Sequence, residues 1–171
     1  AITAANRSAA LAQVRAELRP LLDELSDDDP DLLLEPTAGG GQPLCARVED
    51  LAEYLAALDD HPRAGVCLDV CHAFAAGHDV GTEGGARRML RALVRAADKG
   101  RLRLVHANDA KDPVGSLRDR HENVGKGTIG EAAFAELLAS PATRGVPFVV
   151  ETPGGRDSHA ADVELLRRLR G

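Results

Sequence analysis

The sequence predicts an α/β fold in which consecutive βα units wind around a parallel sheet. Three observations lead there. Four short apolar runs, at 31–35 (DLLLE), 64–69 (AGVCLD), 102–106 (LRLVH) and 146–151 (VPFVVE), alternate with segments whose apolar residues recur at helical spacing. Strands alternating with helices make right-handed βαβ units and a parallel sheet. The runs are continuously apolar, as expected of strands covered on both faces or closed into a barrel. The chain has 171 residues, 44% hydrophobic and 28% charged, an ordinary globular composition with enough length for one domain and a real core.

In chain order, residues 6–25 carry Leu11, Val14, Leu18, Leu21, Leu22 and Leu25 at helical spacing. Pro20 is expected to kink or interrupt that helix. SDDDP ends it, and DLLLE follows as a buried strand. PTAGGGQP is a Gly/Pro loop. Its Gly39-Gly40-Gly41 run lacks a following GK[ST], so it is no phosphate loop; it lets the backbone turn sharply or pass close to a ligand. Residues 47–58 read as a helix, 64–69 as a strand, 83–98 as a helix and 102–106 as a strand. A long polar loop covers 107–128, a helix 130–140, a strand 146–151 and a closing helix 158–170. No internal repeat, low-complexity stretch or linker interrupts this rhythm, so residues 1–171 are expected to form a single domain.

Composition removes several functions. Basic residues number 21 and acidic residues 27, a net charge of −6, which excludes a nucleic-acid binder that relies on basic surface alone. Four aromatic residues and no Trp are too few for a base-stacking platform. Cys45, Cys67 and Cys71 are odd in number and form no CxxC, which points to a reducing compartment and to three small buried hydrophobes. No run reaches 18 apolar residues and no signal segment opens the chain, so the expectation is a cytoplasmic protein without a membrane partner.

The strand ends carry the functional signal. Glu35, Asp69, His106 and Glu151 close the four expected strands. In a parallel β/α fold these ends lie on one face, where active sites are built. Asp69 and His72 stand three apart at one strand end, and Asp119 and His121 form a D-x-H pair in the polar loop, where a period of two points both side chains the same way. Four carboxylates and three imidazoles on one face repel or stay neutral at a cost of several kcal/mol unless cations join them. Oxygen and nitrogen donors without zinc-finger cysteines suggest Zn, Mn or Fe in a catalytic role. The set is too large for one ion and suits two or three, an arrangement that activates water and clamps phosphate in phosphodiester hydrolysis. Each short pattern alone is weak, since a strand-end Glu is commonly a cap or a surface group. His61, His78 and His159 fall outside the pattern and are expected on the surface.

Four segments resemble bacterial endonuclease IV: LLLEPTAGGG, VCLDVCHAFAAGHDV, LVHANDAKDPVGSLRDRHENVGKGTIG and FVVETPG. They stand in the family's order and span nearly the whole chain; the third, GSxxDRHENxGKGxIG, is long and specific. The resemblance implies a TIM (β/α)8 barrel with up to three Zn²⁺ at the C-terminal face, Mn²⁺ being the alternative ion. It implies hydrolysis of double-stranded DNA on the 5′ side of abasic sites, leaving a 3′-hydroxyl, and cleaning of 3′ ends in base excision repair. By the same resemblance Glu35 is the carboxylate that bridges two zincs, and Asp69 and His106 serve the second zinc. His72, Asp119 and His121 hold the third, and Glu151 stands near the attacking water. Glu35 and Glu151 are the catalytic candidates. DNA contacts are expected from Lys111, Arg118, Arg120 and Lys126, with bound cations offsetting the negative charge of the chain.

Two departures accompany the likeness. The family has two further His ligands on earlier strands, and this chain has no segment for them. With four βα units instead of eight, an initial Ala1 and Met89 as its only methionine, the chain reads as a partial domain, the half barrel of strands five to eight. Such a half leaves two sheet edges and an apolar face open, so self-association or a missing N-terminal half is expected, with low activity alone. Pro36 stands where the family usually has Asn, which removes a polar group beside Glu35. Two alternatives are a metal-dependent sugar isomerase or epimerase of the same barrel superfamily, and a non-catalytic metal-binding fragment. The D-x-H pair at 119–121 separates the first reading from the isomerase, which needs no third metal site.

Overall fold

The computed structural model describes residues 4–98 and 100–171. Helix α1 (Ala4–Glu24) leads into strand β1 (Leu32–Leu34), a 3₁₀ turn (Val48–Asp50) and α2 (Leu51–Ala57). Strand β2 (Ala64–Asp69) runs directly into a short helix, α3 (Val70–Ala75), and α4 (Gly85–Ala97) follows. Strand β3 (Leu102–His106) precedes a small hairpin, β4 (Asp109–Ala110) with β5 (His121–Glu122). Helix α5 (Glu131–Leu138), a second 3₁₀ turn (Pro141–Thr143), β6 (Phe148–Val149) and α6 (Arg156–Arg170) complete the chain.

The four long-range strands form one parallel sheet in the order β1-β2-β3-β6, as the alternating pattern predicts. The sheet does not close on itself among the described residues. One face is covered: Leu34, Val66, Leu68 and Val105 share a core with Leu51, Leu55, Leu90, Leu93, Phe134 and Leu137 from the helices. Each such leucine contributes about 2 kcal/mol by leaving water. Leu33, Leu104 and Val149 stand outside that core, and Val149 is 41% exposed. Gly65 makes room on their side of the sheet, since a Cβ there would lie 2.6 Å from Leu33 Cδ2 and 2.8 Å from Arg103 Cδ.

Three details depart from the sequence reading. Helix α1 passes through Pro20 without a break. Ala16, whose carbonyl loses its helical partner there, is exposed, so water can take the place of the missing N–H. Helix α3 has no counterpart in the sequence reading, because six residues are too few to display a period. The polar loop at 107–128 contains the hairpin, whose two-residue strands carry no apolar alternation.

That loop is ordered by buried polar groups. The Asp109 carboxylate is fully buried and accepts hydrogen bonds from the backbone N–H groups of Ala110, Gly125, Gly127, Ile129 and Gly130, at 2.8 to 3.3 Å. Gly127 permits this approach, since a Cβ would fall 2.3 Å from Asp109 Oδ1 and 2.5 Å from the Ala110 carbonyl oxygen. Asp162 of α6 ties the same loop to the end of the sheet, accepting from Asn123 Nδ2 (2.8 Å), Val124 N (3.2 Å) and Thr152 Oγ1 (2.5 Å). Asp109→Ala orphans several buried N–H groups, each costing about 1–3 kcal/mol. It should lower the unfolding free energy by roughly 3 kcal/mol in urea denaturation; a loss below about 1 kcal/mol contradicts the staple role.

Candidate metal centre

The site forms where the sheet ends. Asp69 is both the last residue of β2 and the N-cap of α3, and its Oδ1 accepts from His72 N at 2.8 Å. That cap turns the chain so that the His72 ring faces the end of β1. His72 Nδ1 lies 3.3 Å from Glu35 Oε1 and 3.2 Å from the Pro36 carbonyl oxygen. This partner is a main-chain oxygen, which any residue at 36 offers, so Pro36 leaves the contact intact.

His106, at the end of β3, sits between the neighbouring strands. Its Nδ1 is 3.2 Å from Glu35 Oε1, 3.2 Å from Glu151 Oε2 and 3.8 Å from Asp69 Oδ2. Asp119 and His121 reach in from the polar loop. Asp119 Oδ2 is 3.2 Å from His72 Nε2, and Asp119 Oδ1 is 3.0 Å from His121 Nε2. The loop is docked by α3 itself: at the helix end the Phe74 carbonyl, which also takes Gly77 N, and the Ala75 carbonyl accept from Gly115 N and Leu117 N, both at 3.1 Å. Gly39 and Gly41 turn with φ of +94° and +75°, and Gly39 lies so close to Leu117 Cδ2 that a Cβ would meet it at 2.8 Å. The glycine run thus serves both the sharp turn and a close approach, toward a side chain of the same loop.

The structure therefore brings all seven sequence-derived donors together. Glu35, Asp69 and His72 form one group with ligand atoms within 4.8 Å; Asp69, His106 and Glu151 form a second, and His72, Asp119 and His121 a third. Two observations fit them to cations. The Nε2 atom of His121 is buried with no hydrogen-bond partner among the described residues, its approach to Asp119 lacking hydrogen-bond geometry. Asp69 is buried, and desolvation raises its pKa above the ordinary carboxylate value despite the His72 imidazole and N–H and the Asn108 amide. A buried carboxylate and an orphaned imidazole nitrogen, 3.7 Å apart, suit a shared divalent ion.

Charge states follow from the same contacts. The hydrogen bond from His72 holds Glu35 below the usual carboxylate range, against the effect of its burial. Burial works to lower His72, but the hydrogen bond to Glu35 and the charges of Asp69 and Asp119 outweigh it and push His72 up to about 9. Cys67 and Cys71 border the donor groups, yet burial pushes both thiols up to about 12, so they remain small protonated hydrophobes, as does Cys45.

Other expectations fare differently. Lys111, Arg118 and Lys126 are exposed, and Arg118 Nη1 lies 3.7 Å from Asp112 Oδ1. Arg120 is exposed too, but its guanidinium is committed to Asp112 through Nε–Oδ2 at 2.6 Å and a second bond. His78 is not on the surface: it is buried, and its Nε2 accepts from Val48 N at 3.2 Å, which fastens the first 3₁₀ turn. His61 and His159 are half-buried, the latter with Nε2 2.8 Å from the Thr152 carbonyl oxygen. Sequence reasoning missed Asn108, Asp109 and Asp162. They lie in or against a loop read only as polar, and a buried polar residue has no periodic signal of its own.

With this geometry in place, comparison with known proteins is informative. Residues 2–169 match the profile of the xylose isomerase-like TIM barrel family. The chain belongs to that family. It is 59% identical over 165 residues to a probable endonuclease 4 of Streptomyces avermitilis, covering 96% of this chain and 53% of that protein. A probable endonuclease 4 of Streptomyces coelicolor is 58% identical, with 96% and 56% covered. The crystal structure of endonuclease IV from Thermus thermophilus superposes with a TM-score of 0.73 at 37% identity, over 84% of this chain and 51% of that one. The chain thus spans about half the length of the relatives it matches, in keeping with the partial barrel. The resemblance read from the four motifs is borne out by these relatives.

The elevated pKa of His72 has a sign that can be checked. An unfolded His titrates near ~6.5, and folding raises His72 to about 9. Its stabilisation is complete below the unfolded value and disappears as pH rises through the folded one. In chelator-treated protein the difference in Tm between wild type and His72→Gln should be widest near pH ~6 and closed by about pH 10. A difference that stays constant across that range contradicts the ion-pair assignment.

Proposed function

We propose that this chain carries the greater part of the metal centre of a DNA endonuclease that hydrolyses the backbone at abasic sites, on the 5′ side and leaving a 3′-hydroxyl, with Zn²⁺ as its ion. The observation that supports this best is the third donor group: Asp119 and His121, delivered by the polar loop, add to a strand-end set that by itself would suffice for one or two ions. A sugar isomerase or epimerase has no need of it. The probable endonuclease 4 relatives, of which the chain spans about half the length, lend the reading their name.

The residues divide the work by exposure. Glu35 lies within reach of both the His72 and the His106 imidazoles and would help to hold an ion with either of them. Asp69, buried and hydrogen-bonded by His72 N and Asn108 Nδ2, is an anchor. Glu151, whose side chain is 52% exposed, opens to solvent and can take a proton from an entering water while His106 holds its other side. Divalent ions bound among these donors supply Lewis acidity toward a phosphate oxygen. Lys111, Arg118 and Lys126, all exposed, are the candidates for contacts to flanking phosphates; Arg120, tied to Asp112, acts chiefly by holding the loop.

Two experiments test this. Elemental analysis of chain purified without chelator should give two to three zinc ions per chain, and removing them should lower Tm. A duplex with a single abasic site, labelled at its 5′ end, should be cut weakly by the chain alone. It should be cut efficiently by the chain fused behind the first half of the Streptomyces avermitilis relative, and chelator should stop both reactions. In that fusion His121→Ala should lower the incision rate by about 100-fold, since losing even an outer partner of a ligand costs ~10–100-fold. Incision at the wild-type rate contradicts the role given to the third donor group.

A further inference from the structure

We infer that Asn108 is a positioning residue that sets the spacing between Asp69 and Glu151, an inference that rests on the reading of the strand ends as a metal centre. Asn108 is fully buried, two residues beyond the end of β3. Up to that point the backbone ladder between β3 and β6 is regular: Val105 N donates to the Pro147 carbonyl at 3.0 Å, and Ala107 N to the Val149 carbonyl at 2.7 Å. The next rung is made by a side chain. Glu151 N donates to Asn108 Oδ1 at 2.8 Å. The other end of the same amide turns toward the donors, where Nδ2 donates to Asp69 Oδ2 at 2.6 Å and reaches Glu151 Oε2 at 3.4 Å.

A primary amide carries a donor and an acceptor in one rigid plane, and here both are used. Its orientation is fixed by the partners, because the N–H of Glu151 requires an oxygen opposite it and the Asp69 carboxylate requires a donor. The consequences differ for the two carboxylates. Among the described residues the other hydrogen bond to Asp69 comes from His72 N on its Oδ1, so Asn108 fixes Oδ2, the oxygen that faces His106 and His121. Glu151 follows a strand with only two paired residues, at the open edge of the sheet, so the Asn108 rung is what carries the ladder to the position of this carboxylate. Neither contact makes Asn108 a ligand; it aligns two groups that are.

The test separates alignment from mere packing. Asn108→Ala and Asn108→Ser are compared with wild type by unfolding of the metal-free chain, by Zn²⁺ competition against a chromophoric chelator, and by the visible spectrum of the Co²⁺-loaded chain. A positioning role lowers Zn²⁺ affinity by at least about tenfold and changes the Co²⁺ spectrum, in at least one variant that still unfolds cooperatively. Unchanged affinity and spectrum in a folded variant overturn it. So does loss of folding in both variants, which would make Asn108 a structural rung only. A wild-type chain that binds neither ion overturns the metal-centre reading itself, a result distinct from wild-type binding that the variants preserve.

Discussion

The organisation of this protein turns on a single buried carboxylate. Asp69 ends a strand, caps a helix and faces two imidazoles, all without contact with solvent. Burying a charge of this kind is costly unless it is paired and hydrogen-bonded. The surrounding structure can be read as the answer to that cost. The cap aims His72, the Asn108 amide satisfies one oxygen, and the polar loop brings Asp119 and His121 to the same place. Divalent ions, as proposed above, would complete that compensation among donors that otherwise repel one another.

The loop is the second requirement. A long polar segment between strand and helix would ordinarily be mobile surface, yet here it is fastened at three levels. Asp109 collects its glycine-rich end, Asp162 ties it to α6, and the end of α3 receives its middle. Asp119, the most exposed donor of its group, depends on all of these for its position. The bidentate pair between Arg120 and Asp112 belongs to the same scaffold, so a residue that reads from sequence as a phosphate contact is placed as a brace.

Much of this was legible in the sequence because parallel β/α folds put strand ends on one face. Apolar runs located β1, β2 and β3 to within about two residues, and the residue closing each run lies in one of the candidate donor groups. The D-x-H pair could be joined to them because its chemistry matched, although its loop gave no structural clue. What stayed hidden was the apparatus that holds the donors. Asn108 and Asp109 adjoin His106 in a stretch read only as polar, and their burial comes from tertiary contacts with residues 123–130 and 151. The buried His78 escaped for the same reason: its partner is a backbone N–H thirty residues away. Pro20 shows the reverse case, in which a strong local rule yields because the affected carbonyl faces water.

Diffraction at the zinc absorption edge, from crystals grown with zinc, tests the central claim most directly. Anomalous peaks should lie between Glu35 and His72, between Asp69, His106 and Glu151, and between His72, Asp119 and His121, at about 2.0–2.3 Å from the donor atoms. The expectation is two or three such peaks, with one adjoining the orphaned Nε2 of His121. Anomalous density confined to surface carboxylates such as Asp23, with none among the strand-end donors, would contradict the reading of this face as a metal centre.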